Sequence, residues 1–146
     1  MSIHLDRIQR MMRGELPAPP VATLIGFAVV AAEPGRVTCR MDTRVEAHAN
    51  PMGTVHGGIL CDIADAAMGL AHASLLGEGE SFTTLELKMN FLRPVWNATL
   101  TAVGDVVKAG ATVSLVECTI TDEQGRMIAR ASSTCLTLRG EQARGR

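Results

Sequence analysis

Apolar residues at Met1, Leu5, Ile8 and Met12 are spaced by four, three and four, which puts one stripe on a short helix ending near Gly14, within an N-terminal segment 1–16. Pro17, Pro19 and Pro20 mark 17–20 as a stiff linker. The mostly apolar run 21–32 reads as a buried first strand, its second half, 27–32, forming a hairpin with 37–41 across Glu33-Pro34-Gly35. In the return strand Val37, Cys39 and Met41 alternate with Thr38 and Arg40, as one wet face requires. Asn50-Pro51-Met52-Gly53 is a loop. Over 58–76 the period changes to that of a helix: Ile59, Leu60, Ile63, Ala67 and Leu70 share one side, and Asp62, Asp65, Gly69 and His72 the other. Alanines at 64, 66, 71 and 73 suit a helix that is approached closely.

The rest is strand. Leu85, Leu87, Met89 and Phe91 alternate with Thr84, Glu86, Lys88 and Asn90 up to Pro94, which predicts a half-buried strand with Thr84 on the wet face. Three further strands, about 98–108, 112–121 and 127–138, are separated by turns at Gly110 and at Asp122 to Gly125, so they form an antiparallel meander. A helix, two strands, a long helix and four strands give an α+β chain in which one antiparallel sheet wraps one long central helix. At 146 residues it forms one domain over 1–146, with 139–146 expected to be a flexible tail.

Composition narrows the function classes. A net charge of −1 with scattered basic residues offers no footprint for nucleic acid, and 3% aromatics offer few stacking surfaces. No apolar run is long enough to span a membrane. The run 21–32 imitates a signal peptide after Arg7, Arg10 and Arg13, but Asp6, Glu15 and three prolines argue against that reading. Cys39, Cys61, Cys118 and Cys135 have no metal-ligand spacing and read as reduced thiols of a cytoplasmic protein.

The chemistry concentrates in 50–69, NPMGTVHGGILCDIADAAMG, where a polar loop runs directly into the central helix. Glycines after His56 let a ligand approach the backbone, and the first N–H groups of a helix lack internal partners, so they can hold a developing oxyanion. A glycine-rich helix start without a ligand is the alternative. Asp65, two turns on, is placed to act as general base or nucleophile, or is simply a solvated residue; Asp62 and His72 share its face and read as solvated.

The sequence N-P-M-G-T-V-H-G-G, with Asp65 seven residues beyond the last Gly, resembles the hotdog-fold acyl-CoA thioesterases of the phenylacetate-pathway (PaaI-like) type. The likeness runs from about residue 21 to 138 and includes TLELKMNFLRP from Thr84. It implies a hotdog fold and catalytic roles for four residues: the Gly57 amide polarises the thioester carbonyl, Asn50 orients the reacting groups, Asp65 attacks or activates water, and Thr84 assists. Thr83 offers the same hydroxyl on the opposite strand face. His56 holds the loop, and Gly58, Leu60, Met68, Phe82 and Arg93 complete the substrate contacts, with Leu75 a further pocket candidate. Lys88, Lys108 and Arg139 are further candidates for the coenzyme A phosphates, though cations on strands also serve solubility. No metal or separate cofactor is implied, since coenzyme A is part of the substrate. Two alternatives are a non-catalytic acyl-CoA sensing domain and an enoyl-CoA hydratase using Asp65 with His72. Gly57 and Asp65 lie eight residues apart, about 12 Å along one helix, so one carbonyl cannot readily meet both from one chain. A homodimer with two shared sites follows, and the resemblance extends it to a dimer of dimers.

Overall fold

The computed structural model describes residues 2–146, leaving Met1 of the predicted N-terminal stripe outside the described residues. Leu5 and Ile8 of that stripe are buried on α1 (Ile3–Met12), which is capped by Ser2 and followed by Gly14 at φ 76°. Then come α2 (Pro20–Ile25), the hairpin β1 (Phe27–Glu33) and β2 (Arg36–Asp42), the single turn α3 (Val45–His48), and the long α4 (Gly57–Ala73). Four strands follow, β3 (Ser81–Phe91), β4 (Thr99–Lys108), β5 (Val113–Thr121) and β6 (Met127–Leu138), and then a 3-10 turn (Gly140–Ala143) within the expected tail.

The run 21–32 is not one strand. Pro20 cannot donate a backbone hydrogen bond, which suits it to the first position of a helix, and Gly26 closes that helix at φ 95° before β1 begins. The apolar Leu24 is consequently 81% exposed. So the linker expected over 17–20 ends at Pro19, and Pro20 starts α2.

All six strands form one antiparallel sheet in the order β1-β2-β4-β5-β6-β3. The predicted turns close it: Pro34-Gly35 joins β1 to β2 with Gly35 at φ 76°, and Asp122 accepts the Gln124 and Arg126 N–H groups to shape the β5–β6 turn. Helix α4 lies across the inner face, its Ile63, Ala64 and Ala67 fully enclosed by Val37, Cys39, Leu100, Val116 and Cys118. The helix approaches the sheet closely at Gly104, where a Cβ would overlap the Ala67 carbonyl.

Two predicted faces are corrected by this packing. His72 and Gly69 are not on a solvated side of α4: both are buried beneath Phe82, whose ring meets His72 edge-on at 5.5 Å between centroids. Strand β3 is not a plain alternation either. Its register with β6 shifts between Thr84 and Glu86, so Leu85 is an extra, bulged residue, 56% exposed. The predicted alternation holds beyond the bulge, where Leu87, Met89 and Phe91 face inward, and fails before it, where the even-numbered Phe82 and Thr84 take the inward face. Thr84 pairs with buried Cys135 and turns inward, whereas Glu86 pairs with Thr134 and turns outward.

Candidate active site

The loop before α4 is built by short-range hydrogen bonds. Asn50 Oδ1 accepts from the N–H groups of Met52 (2.9 Å) and Thr54 (3.2 Å), and its amide nitrogen donates to Thr54 Oγ1 (2.9 Å). Asn50 therefore shapes the loop that carries the glycines. Buried His48 anchors the other side: its Nδ1 accepts from the Arg44 N–H, its Nε2 lies 3.0 Å from the Ile25 carbonyl, and its own carbonyl accepts the His56 N–H at 2.7 Å. Nothing in the sequence pattern singled out His48.

At the helix start, His56 is the N-cap, and its Nδ1 accepts from the Gly58 N–H at 2.8 Å. This cap ties His56 to the first turn of α4. The Gly57 N–H has no acceptor among the described residues, so one donor at the positive end of α4 remains open.

Two turns further on, exposed Asp65 receives a hydrogen bond from the Thr84 hydroxyl at 3.0 Å. Of the two neighbouring threonines, Thr84 is the one whose hydroxyl touches Asp65. Asp62, on the same side, has its carboxyl pushed above the usual range, first by partial burial and then by the Asp65 charge. Burial and both carboxylates raise the Cys61 thiol as well. Strand β3 runs antiparallel to α4 through these contacts, with Phe82 over Gly69, Thr84 on Asp65 and Phe91 against Gly57.

A cleft of about 560 Å³ opens at the helix start. Of the candidate site residues, Asn50, His56, Gly57, Gly58, Leu60 and Arg93 line it. Thr54, Cys61 and Phe91 also line it and were not foreseen; the flanking of the glycine pair by Phe91 depends on strand placement, which no local pattern reveals. Three expected wall residues lie elsewhere. Met68 is fully enclosed in the core, Phe82 packs on Gly69 and His72, and Leu75 packs against Gly35. Asp65 is not on the cleft wall of its own chain.

Residues 52–129 match the thioesterase superfamily model. The chain belongs to that superfamily. An esterase-named protein of Saccharolobus solfataricus is 31% identical over 122 residues, covering 84% of this chain and 86% of that one. The 1,4-dihydroxy-2-naphthoyl-CoA hydrolase of Listeria monocytogenes is 26% identical over 104 residues, covering 71% of this chain and 84% of that one. Among solved structures, a phenylacetic acid degradation-related protein of Ralstonia eutropha superposes with a TM-score of 0.80 at 30% identity, over 88% of this chain and 98% of that one. The superfamily protein described here is accordingly a thioester hydrolase with the PaaI-like hotdog fold expected from its sequence.

Proposed function

We propose that this thioesterase hydrolyses an acyl-CoA thioester, with an aryl or medium-length acyl group, to the free acid and coenzyme A. The observation that carries the reading is the pairing of an open Gly57 N–H with a solvent-facing Asp65 carboxylate held by Thr84. The Gly57 amide stabilises the oxyanion that forms at the thioester carbonyl, and Asp65 attacks that carbon or takes a proton from the attacking water. The C–S bond then breaks and the sulfur leaves as the coenzyme A thiolate; in the general-base route it takes the proton that Asp65 removed from water, and in the nucleophilic route a water then cleaves the acyl–Asp65 anhydride, releasing the free acid, restoring the carboxylate and supplying the thiol proton. Relatives named as a 1,4-dihydroxy-2-naphthoyl-CoA hydrolase and a phenylacetic acid degradation-related protein support an aryl substrate. Arg93 on the cleft wall, with no ionic partner among the described residues, suits the phosphate end of coenzyme A.

The active unit in this reading is a homodimer. Asp65 lies about 12 Å along the helix from Gly57, and only Gly57 faces the cleft of its own chain. A second copy supplies Asp65 across a two-fold axis. Strand β3 is a sheet edge with exposed Leu85 and Phe91, a surface suited to that contact. An enoyl-CoA hydratase loses its support because His72 is buried and bonded to Thr137, away from Asp65.

A thiol-release screen over aryl and aliphatic CoA esters, with and without exhaustive chelation, tests the proposal. Hydrolysis unaffected by chelation is expected. Absence of release from every ester would leave the acyl-CoA sensing function as the better reading, and activity lost on chelation and restored by Zn²⁺ would overturn the metal-free chemistry.

A further inference from the structure

Resting on the hydrolase reading above, we propose that Phe91 is a positioning residue for the oxyanion donor, its ring holding the first residue of α4 in place. A helix start is prone to fray because its first N–H groups have no partners within the helix, yet an oxyanion donor acts only if it is fixed before the charge develops. On one side, His56 secures this helix start through the Gly58 N–H and through its own N–H to the His48 carbonyl. Neither bond restrains Gly57 itself, whose N–H must stay open.

Phe91 supplies the missing restraint. It is the last residue of β3, and its ring carbons Cε1 and Cζ would lie 2.9 Å from a Cβ at position 57. The ring therefore occupies the space that a side chain at 57 would take, in contact with the glycine backbone. Glycine at 57 and phenylalanine at 91 are complementary in size. Although the ring is 56% exposed, it is not an idle surface group, since it forms part of the cleft wall together with Gly57 and Gly58. The bulge at Leu85 makes this possible by turning the odd-numbered residues that follow it, Phe91 included, toward α4.

A double-mutant cycle tests the proposal. The four proteins are wild type, Gly57→Ala, Phe91→Ala and the double variant, with Phe91→Leu as a milder second probe. Phe91→Ala is expected to lower kcat roughly 10- to 100-fold, as for partial loss of one oxyanion donor, with KM changing less than about threefold. Phe91→Leu falls between. The double variant is expected to be no slower than Gly57→Ala alone, because the new methyl enters the space the ring has left. Amide hydrogen exchange at Gly58, followed by NMR, gives a readout independent of turnover, and it should accelerate in Phe91→Ala. Losses that multiply in the double variant, or a Phe91→Ala protein with unchanged kcat and unchanged Gly58 exchange, would overturn the proposal. If the wild type releases no thiol from any acyl-CoA, the hydrolase reading fails separately, and Gly58 exchange alone then decides whether Phe91 holds the helix start.

Discussion

Asp65 and Asp62 stand three residues apart on one helix, yet only Asp65 receives a side-chain hydroxyl, that of Thr84. That difference makes them a matched pair for experiment. Asp65→Asn keeps the shape and the Thr84 contact but cannot attack or take a proton, so kcat should fall roughly 10² to 10⁴ fold with little change in KM. Asp62→Asn should stay within a few-fold of wild type. Equal, small effects in steady-state kinetics would show that Asp65 is only a solvated helix residue. Position on the helix face did not separate the two acids, and only the family motif pointed to Asp65, because the distinguishing hydroxyl arrives from a strand nineteen residues away.

Two contacts set how α4 meets the sheet. At Gly104 the backbone of Ala67 occupies the space of a Cβ, and neither partner is a flexible side chain that could move aside. Gly104→Ala should therefore destabilise the fold by about 1 to 3 kcal/mol, or prevent folding, as seen by urea unfolding. An unchanged midpoint would mean that helix and sheet separate freely. Near the helix C-terminus, burial lowers the His72 pKa below its ordinary 6.5, outweighing the opposing pull of Glu80. Folded His72 thus stays neutral where the unfolded chain already takes up a proton. Its contribution is intact above about pH 6.5 and is lost as pH falls toward the lowered folded value, at no more than about 1.4 kcal/mol per pH unit. Unfolding midpoints between pH 7.5 and 5.5 should drop more steeply for wild type than for His72→Gln; parallel slopes would remove His72 as the cause.

For the whole molecule, the proposed dimer makes a quantitative demand. Asp65→Asn disables one half of each shared site and Gly57→Val the other half, the latter because the new side chain meets the Phe91 ring. Random exchange of chains gives heterodimers as half the population, each with one intact site of two, so an equal mixture should recover roughly a quarter of wild-type activity. Mass spectrometry would establish that heterodimers are present. If they are and the mixture remains as inactive as its parents, each chain carries its own complete site.

The sequence alone determined the elements whose signals are local. Periodicity marked α4 and the meander β4 to β6, and turn residues such as Pro34-Gly35 and Asp122 to Gly125 marked the reversals, because backbone geometry there follows from a few adjacent residues. The site loop was legible for the same reason: Asn50, His56 and the two glycines act on backbone within a few residues of themselves. Tertiary structure decided what depends on partners distant in sequence. His72 turning inward under Phe82 and Met68 entering the core both depend on what packs alongside. The sharpest case is the bulge at Leu85. Alternation along T-L-E-L-K places Thr84 with Glu86 on the wet face, and no Gly or Pro marks an extra residue. Pairing with β6 inserts one, and in a structure of period two a single uncounted residue puts the even-numbered positions before it on the same face as the odd-numbered positions after it. That change of phase brings Thr84 to Asp65 and Phe91 to Gly57 on the same side of one strand.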